Sequence, residues 1–352
     1  MKKILLAFFV LAAIALTACN EQKKVQPPKT VSVMIYSEYI DPAMIDDFEK
    51  KTGYKLHLEL YEAQEEMVRK LQTTGTSQYD VIIASDVVIQ QMVNLGLIAF
   101  IDMEKVPNRK NIAPQFLNQP YDPTNAYTIP YHWGTTGILF RGEKVDPNGV
   151  SYSMLFNSRQ TKGNFSFLDE SRSMLSMALM AIGFNANSTN QAEINKAVDY
   201  ILQAKKDKHF LGFDGSVGGK EKVISGMDWA AIVFNGDAQA AIDEDSTLQF
   251  VIPKEGSFMW VDVMTLSAKA KNPEGAYAFM NYILDAEIGA QLAKYINYAT
   301  PNMASLEIID ENFKNNRVIY PTQEEIKRMV FLSDPGEATK LFDEAWTIVK
   351  TR

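Results

Sequence analysis

Apolar and polar positions follow two periods along this chain. Residues 31–36, 55–60 and 80–84 are apolar, β-branched runs of strand length. Between and after them, helical spacing takes over. Asp41-Pro42 opens a helix that Gly53 closes, residues 63–73 carry Met67 and Leu71 on one face, and 87–95 is a third helix. The order β-α-β-α-β-α predicts a mostly parallel sheet flanked by helices. Ligands in such sheets sit beyond the carboxyl ends of the strands, which here carry Ser37-Glu38-Tyr39 and Ser85-Asp86. Residues 127–140, with Ile129-Pro130-Tyr131-His132-Trp133-Gly134 at their centre, read as an extended crossover into a second lobe. That lobe has helices at 173–182 and 191–204, the latter with Ile194, Ala197, Val198 and Ile201 in register behind an Asn190/Glu193 capping box. Strands follow at 230–235 and 249–253, and residues 212–220 read as a loop. The chain returns through a strand at 258–262. Asn272-Pro273 starts a helix with Ala276, Phe279, Met280 and Ile283 on one face, and another spans 286–296. Tyr298 to Asn302 make a turn, Thr322 and Glu325 cap a helix, and 336–350 carries Leu341, Phe342, Ala345, Ile348 and Val349 as its buried stripe.

The returning strand holds the most pointed chemistry. Asp262 sits between Trp260-Val261 and Val263-Met264. A carboxylate in so apolar a run needs a pairing group, a metal or a cationic ligand, because a lone buried charge is too costly. Trp260, two residues earlier, faces the same side of the strand. An indole beside a carboxylate suits an ammonium through cation–π and Coulomb attraction. A cap or a bridge to a lysine is the plainer alternative. Acid beside aromatic recurs in Tyr36-Ser37-Glu38-Tyr39 and in Phe234-Asn235-Gly236-Asp237, while Leu168-Asp169-Glu170-Ser171 precedes a helix.

The first nineteen residues stand apart from the fold. Lys2 and Lys3 precede an apolar stretch at 4–16, and Leu16-Thr17-Ala18-Cys19 has the form of a lipoprotein cleavage site with Cys19 as the lipidated residue. Residues 20–29 read as a tether. Cys19 is the only cysteine, so no disulfide is available to the mature chain. Without Lys2 and Lys3, 33 basic residues face 43 acidic ones, which argues against nucleic acid and favours cationic partners. His57, His132 and His209 have no metal spacing. There is no nucleophile elbow, and Gly215 to Lys220 is not a phosphate loop: Asp214 stands at its first required Gly and Glu221 replaces its Ser/Thr. Asp243-Glu244-Asp245 lacks the glycine and spacing of a calcium loop. No catalytic set, metal or cofactor is expected.

Several runs together resemble the spermidine/putrescine-binding proteins of bacterial ABC importers. Tyr36-Ser37-Glu38-Tyr39-Ile40 is similar to a family segment that has Trp where Tyr36 stands. Asp80 to Ser85, Ile129 to Thr136, Pro253-Lys254-Glu255-Gly256 through Asp262, and Tyr298 to Asn302 are similar to others, in the same order. The resemblance implies an α/β, type II periplasmic-binding-protein fold of two lobes, each a mostly parallel sheet flanked by helices, joined by hinge crossovers. On this sequence the lobes are expected at 30–135 with 259–305, and at 136–258 with 306–352. The family's binding positions fall on Tyr36, Ser37, Glu38, Tyr39, Ser85, Glu170, Phe234, Trp260, Asp262 and Tyr298. Asp237 matches the putrescine-type members. An acid of the family falls on Ser173, an aromatic on Val87 and a polar residue on Leu332, so selectivity is expected to differ, with a lean to a shorter diamine. Arg172 is expected to turn away in a structural salt bridge, and His132 to pack at the crossover. The implied role is that of a monomeric, lipid-anchored receptor outside the cytoplasmic membrane. It binds a polyamine, delivers it to a permease and does no covalent chemistry. A receptor for another small solute and a surface adhesin are the alternatives.

Overall fold

The computed structural model describes residues 29–144, 149–157 and 163–352. The expected signal peptide, Cys19 and the expected tether as far as residue 28 lie outside the described residues. No helix among them is long and apolar enough to cross a membrane.

The predicted alternation opens the fold. Strands β1 (Thr30–Tyr36), β2 (Lys55–Tyr61) and β3 (Val81–Ser85) are parallel, with β1 in the middle. Helices α1 (Ala43–Thr52), α2 (Gln64–Thr74) and α3 (Asp86–Asn94) connect and follow them. The strand period sorts the β1 side chains: Val31, Val33 and Ile35 join one core cluster, and Met34 joins another with Met67, Leu71 and Ile89. Gly53, at φ +76°, takes the left-handed conformation that ends α1, and its N–H donates to the Glu49 carbonyl at 2.8 Å.

After β4 (Ile98–Ala99), the long strand β5 (Thr128–Arg141) passes from one half to the other. The second half holds β6 (Phe165–Leu168), α4 (Ser171–Ala181), α5 (Gln191–Lys205), β7 (Phe210–Asp214), α6 (Ser216–Ile224), β8 (Ala230–Phe234), α7 (Asn235–Glu244) and β9 (Leu248–Val251). The long strand β10 (Ser257–Ser267) then returns, followed by α8 (Pro273–Ile283), α9 (Ala286–Ile296), β11 (Met329–Phe331) and α10 (Thr339–Thr351). The strand order is β2-β1-β3-β10-β5-β8-β6-β7, with β4 and β11 on β10 and β9 on β5. Strands β6, β7 and β8 are parallel, whereas β10 and β5 run antiparallel to each other, so the two halves are mixed sheets flanked by helices. β5 pairs with β10 up to Thr135, opposite Met259, and with β8 from Thr136, opposite Phe234. The two long strands are thus the connection between the halves.

Ile348, expected in the buried stripe of α10, is exposed, and three further expectations change. Residues 212–220 are not a loop: they finish β7 and begin α6, which packs so closely on β8 that a Cβ on Gly219 would lie 3.3 Å from Ala231 and Val233. The Asn190 side chain caps α5 through the Ala192 and Glu193 N–H groups, but the Glu193 carboxylate accepts from Ser188 instead of closing a box. Arg172 does turn away, without a salt bridge. Its guanidinium donates to Ser176, Asn187 and the Ala186 and Ser333 carbonyls and lies 4.4 Å over the Phe342 ring. Five fixed donors suit a ring of neutral oxygens as well as one carboxylate.

Candidate functional site

Between the two halves lies a cavity of about 360 Å³. Its walls are the carboxyl ends of strands and the helix starts that follow them. From the first half come Tyr36 at the end of β1 with Ser37, Glu38 and Tyr39 after it, Ser85 and Asp86 at the β3–α3 junction, Trp260 and Asp262 on β10, and Tyr298 after α9. From the second come Glu170 before α4, and Phe234 and Asp237 at the β8–α7 junction. All eleven candidate side chains therefore converge on one cavity. Ser173, Val87 and Leu332, the positions that depart from the family pattern, line it too. His132 does not; it is buried, with Nδ1 3.3 Å from the Ala299 carbonyl.

Asp262 owes its aim to a bulge. It lies opposite His132, but the next residue, Val263, lies opposite Pro130, so Tyr131 is the extra residue on β5. A bulge re-aims the side chains beside it, and Pro130 has no N–H to contribute to a ladder there. Asp262 is 5% exposed and also stands opposite Ser85 on β3. Burial pushes its carboxyl up to about 8, and Asp86 adds repulsion. The Tyr39 hydroxyl stands beside it and offsets part of this without closing a full hydrogen bond. Burial, with Glu65 and Asp262 adding to it, likewise pushes Glu170 up to about 8, against a 2.8 Å hydrogen bond from Ser173. Asp86 is pushed up to about 7 by burial, against a 2.9 Å bond from Ser85. No ion pair among the described residues involves Asp86, Glu170 or Asp262. Three buried carboxyls thus line the cavity with no cation paired to any of them among the described residues, an arrangement that costs free energy unless protons or a bound cation neutralise it.

Asp237 is different. Its carboxyl is raised by burial, but Ser216 donates to it at 2.5 Å and the Lys220 ammonium stands 4.0 Å away. Lys220 also reaches Glu38 at 2.9 Å. The sequence reading missed this lysine because it placed 212–220 in a loop. Ser216 and Lys220, four apart, share a helix face, which is the signal that would have found it.

Aromatic rings make the rest of the wall. The Trp260 ring meets Phe234 at 5.5 Å and Tyr298 at 5.2 Å, both edge-on, and Tyr39 meets Tyr298 at 5.4 Å and Tyr36 at 5.8 Å. Two glycines make room for them. A Cβ on Gly134 would lie 2.5 Å from the Trp260 ring, and one on Gly236 would lie 2.4 Å from the Tyr298 ring. Gly236 is in the first turn of α7, where alanine suits a helix better than glycine. Gly236→Ala should nonetheless destabilise the protein by about 1–3 kcal/mol through overpacking, read as a lower urea midpoint. An unchanged or higher midpoint would mean that the Tyr298 ring yields freely.

The chemistry open to this site is capture of a flexible organic cation: carboxylates for ammonium groups and ring faces for the alkyl chain between them. The profile of the bacterial extracellular solute-binding proteins matches residues 43–319. The chain is 32% identical over 341 residues to the spermidine/putrescine-binding periplasmic protein of Escherichia coli K12, covering 97% of each. It is 31% identical over 352 residues to spermidine/putrescine-binding periplasmic protein 1 of Haemophilus influenzae, covering 96% of each. Among solved structures, it is similar to the spermidine/putrescine ABC transporter substrate-binding protein of Streptococcus pneumoniae, with a TM-score of 0.73 and 28% identity. That match spans 91% of this chain and 99% of that one.

Proposed function

The chain belongs to the bacterial extracellular solute-binding protein family, and on that premise we propose that it captures a polyamine, putrescine or spermidine, outside the cytoplasmic membrane and delivers it to an ABC importer. The observation that carries this reading is the set of buried carboxyls at Asp86, Glu170 and Asp262, unpaired by any basic residue among those described and walled by Trp260, Phe234, Tyr36 and Tyr298. An ammonium leaving water needs a carboxylate or several oxygens, and the methylenes between ammonium groups need flat apolar surface. A neutral sugar would leave these acids to be neutralised by protons alone.

Ser37, Glu38, Tyr39 and Ser85 complete the first lobe's contacts, and Tyr298 closes the wall beside Asp237. The bodies that close on the ligand are residues 30–135 with 259–305, and 136–258 with 306–352, hinged on the two long strands. The ligand supplies the free-energy difference between open and closed states, and no bond is made or broken. Cys19 carries the lipid that holds the mature protein, a monomer, at the outer face of the cytoplasmic membrane or in the periplasm.

Isothermal titration of the lipid-free chain from Lys24 onward with putrescine and with spermidine is the direct test. Saturable heat from either supports the reading. No heat from either, with a folded protein by circular dichroism, would overturn it.

A further inference from the structure

Among the described residues, Lys220 is the only basic residue that lines the cavity. It projects from α6 in the second half, and its side chain is 8% exposed. The ammonium crosses the cleft to Glu38 Oε2 at 2.9 Å and stands 4.0 Å from Asp237 Oδ1 and 3.8 Å from Glu221 Oε1. Glu38 itself sits at φ +53°, a left-handed conformation uncommon for a residue with a side chain, at the turn that presents its carboxylate to the lysine. One end of the cavity therefore has its cation built in. The other end, with Asp86, Glu170 and Asp262, has none.

Resting on the polyamine reading, we propose that Lys220 is a selectivity residue: its ammonium takes the place of a ligand ammonium at Glu38 and Asp237. The cleft then accepts a diamine on the three remaining acids and discriminates against a triamine whose third ammonium needs the Glu38 end. A second ammonium brought to Glu38, whose side chain is 60% exposed, meets the buried Lys220 ammonium at contact range, where like charges repel. The lysine also spans the two halves, from α6 to the turn after β1.

The test compares putrescine with spermidine by isothermal titration on the parent protein, Lys220→Met and Lys220→Arg. The parent should bind putrescine more tightly. Lys220→Met should move the ratio of dissociation constants toward spermidine by at least about tenfold, the worth of one charge-assisted contact, and Lys220→Arg should keep the parent's ratio. A parent that prefers spermidine, or an unmoved ratio in Lys220→Met, overturns the proposal. A second arm needs no polyamine: n-propylammonium should raise the melting temperature of Lys220→Ala more than that of the parent, by filling the vacated place. Equal shifts overturn the proposal. If the parent binds neither polyamine, the receptor reading falls, and the propylammonium arm still decides whether Lys220 occupies an ammonium site.

Discussion

Replacing Asp262 by alanine is expected to lower the affinity for a polyamine by roughly 30- to 5,000-fold, read by isothermal titration, the cost of about 2–5 kcal/mol for removing one partner of a buried charge pair. The effect is large because of where the residue stands. The β5 bulge aims the carboxyl into the cavity, the strand around it is apolar, and among the described residues no lysine or arginine pairs with it. A bound ammonium that loses Asp262 keeps its desolvation and loses its counter-charge. The empty protein should respond in the opposite sense. Its Asp262 carboxyl is held out of water at a cost, so alanine should leave the melting temperature of the ligand-free protein unchanged or raise it. That split between binding and stability separates a ligand residue from a structural one. A loss of less than about tenfold (about 1.4 kcal/mol), or a lower melting temperature without ligand, would sink the assignment of Asp262 to an ammonium.

The parts of this architecture that were legible in the sequence are those with a local cause. β1, β2 and β3 alternate with amphipathic helices bounded by Pro42 and Gly53, so their order follows from period alone. Asp262 stands out because a charge interrupts an apolar strand, and Trp260 because it shares that face. Glu170 was found through the resemblance of the surrounding chain, since an acid just before a helix reads equally well as a cap. The strands β6 and β7 escaped because four or five residues rich in phenylalanine, with Gly212 inside one of them, show no alternation to read. The bulge that aims Asp262 is caused by Tyr131 and Pro130 on the partner strand, about 130 residues earlier, and no reading of β10 alone contains it. Lys220 escaped for the same kind of reason: its partner Glu38 lies 182 residues away and on the other half. A sequence shows where a charge will be costly, but which distant charge answers it depends on the packed halves.

Polyamine affinity should rise with pH between about 6 and 8, by about tenfold per pH unit for each carboxyl that must shed a proton to receive an ammonium. Without a bound cation Asp262 and Glu170 lie near 8 and Asp86 near 7, so at neutral pH part of the set is protonated. Those protons neutralise the acids while no cation is present. A dication can replace them only by expelling them, so binding releases protons and weakens as pH falls. One proton displaced gives roughly 100-fold between pH 8 and pH 6, and two give up to about 10,000-fold. The stability of the empty protein has the opposite slope. These carboxyls are raised above their unfolded range of about 4, so between about pH 4 and 8 the folded state holds more protons than the unfolded one, and stability falls as pH rises through that window. Ligand should therefore raise the melting temperature more at pH 8 than at pH 5.5. Titration at pH 7 in buffers of different ionisation enthalpy counts the released protons directly. An affinity flat from pH 6 to 8, with no dependence on buffer, would mean that the empty cleft stands open and hydrated with its acids already ionised. In that case closure desolvates the acids and the ammonium groups together, and the proton has no part in selecting the ligand.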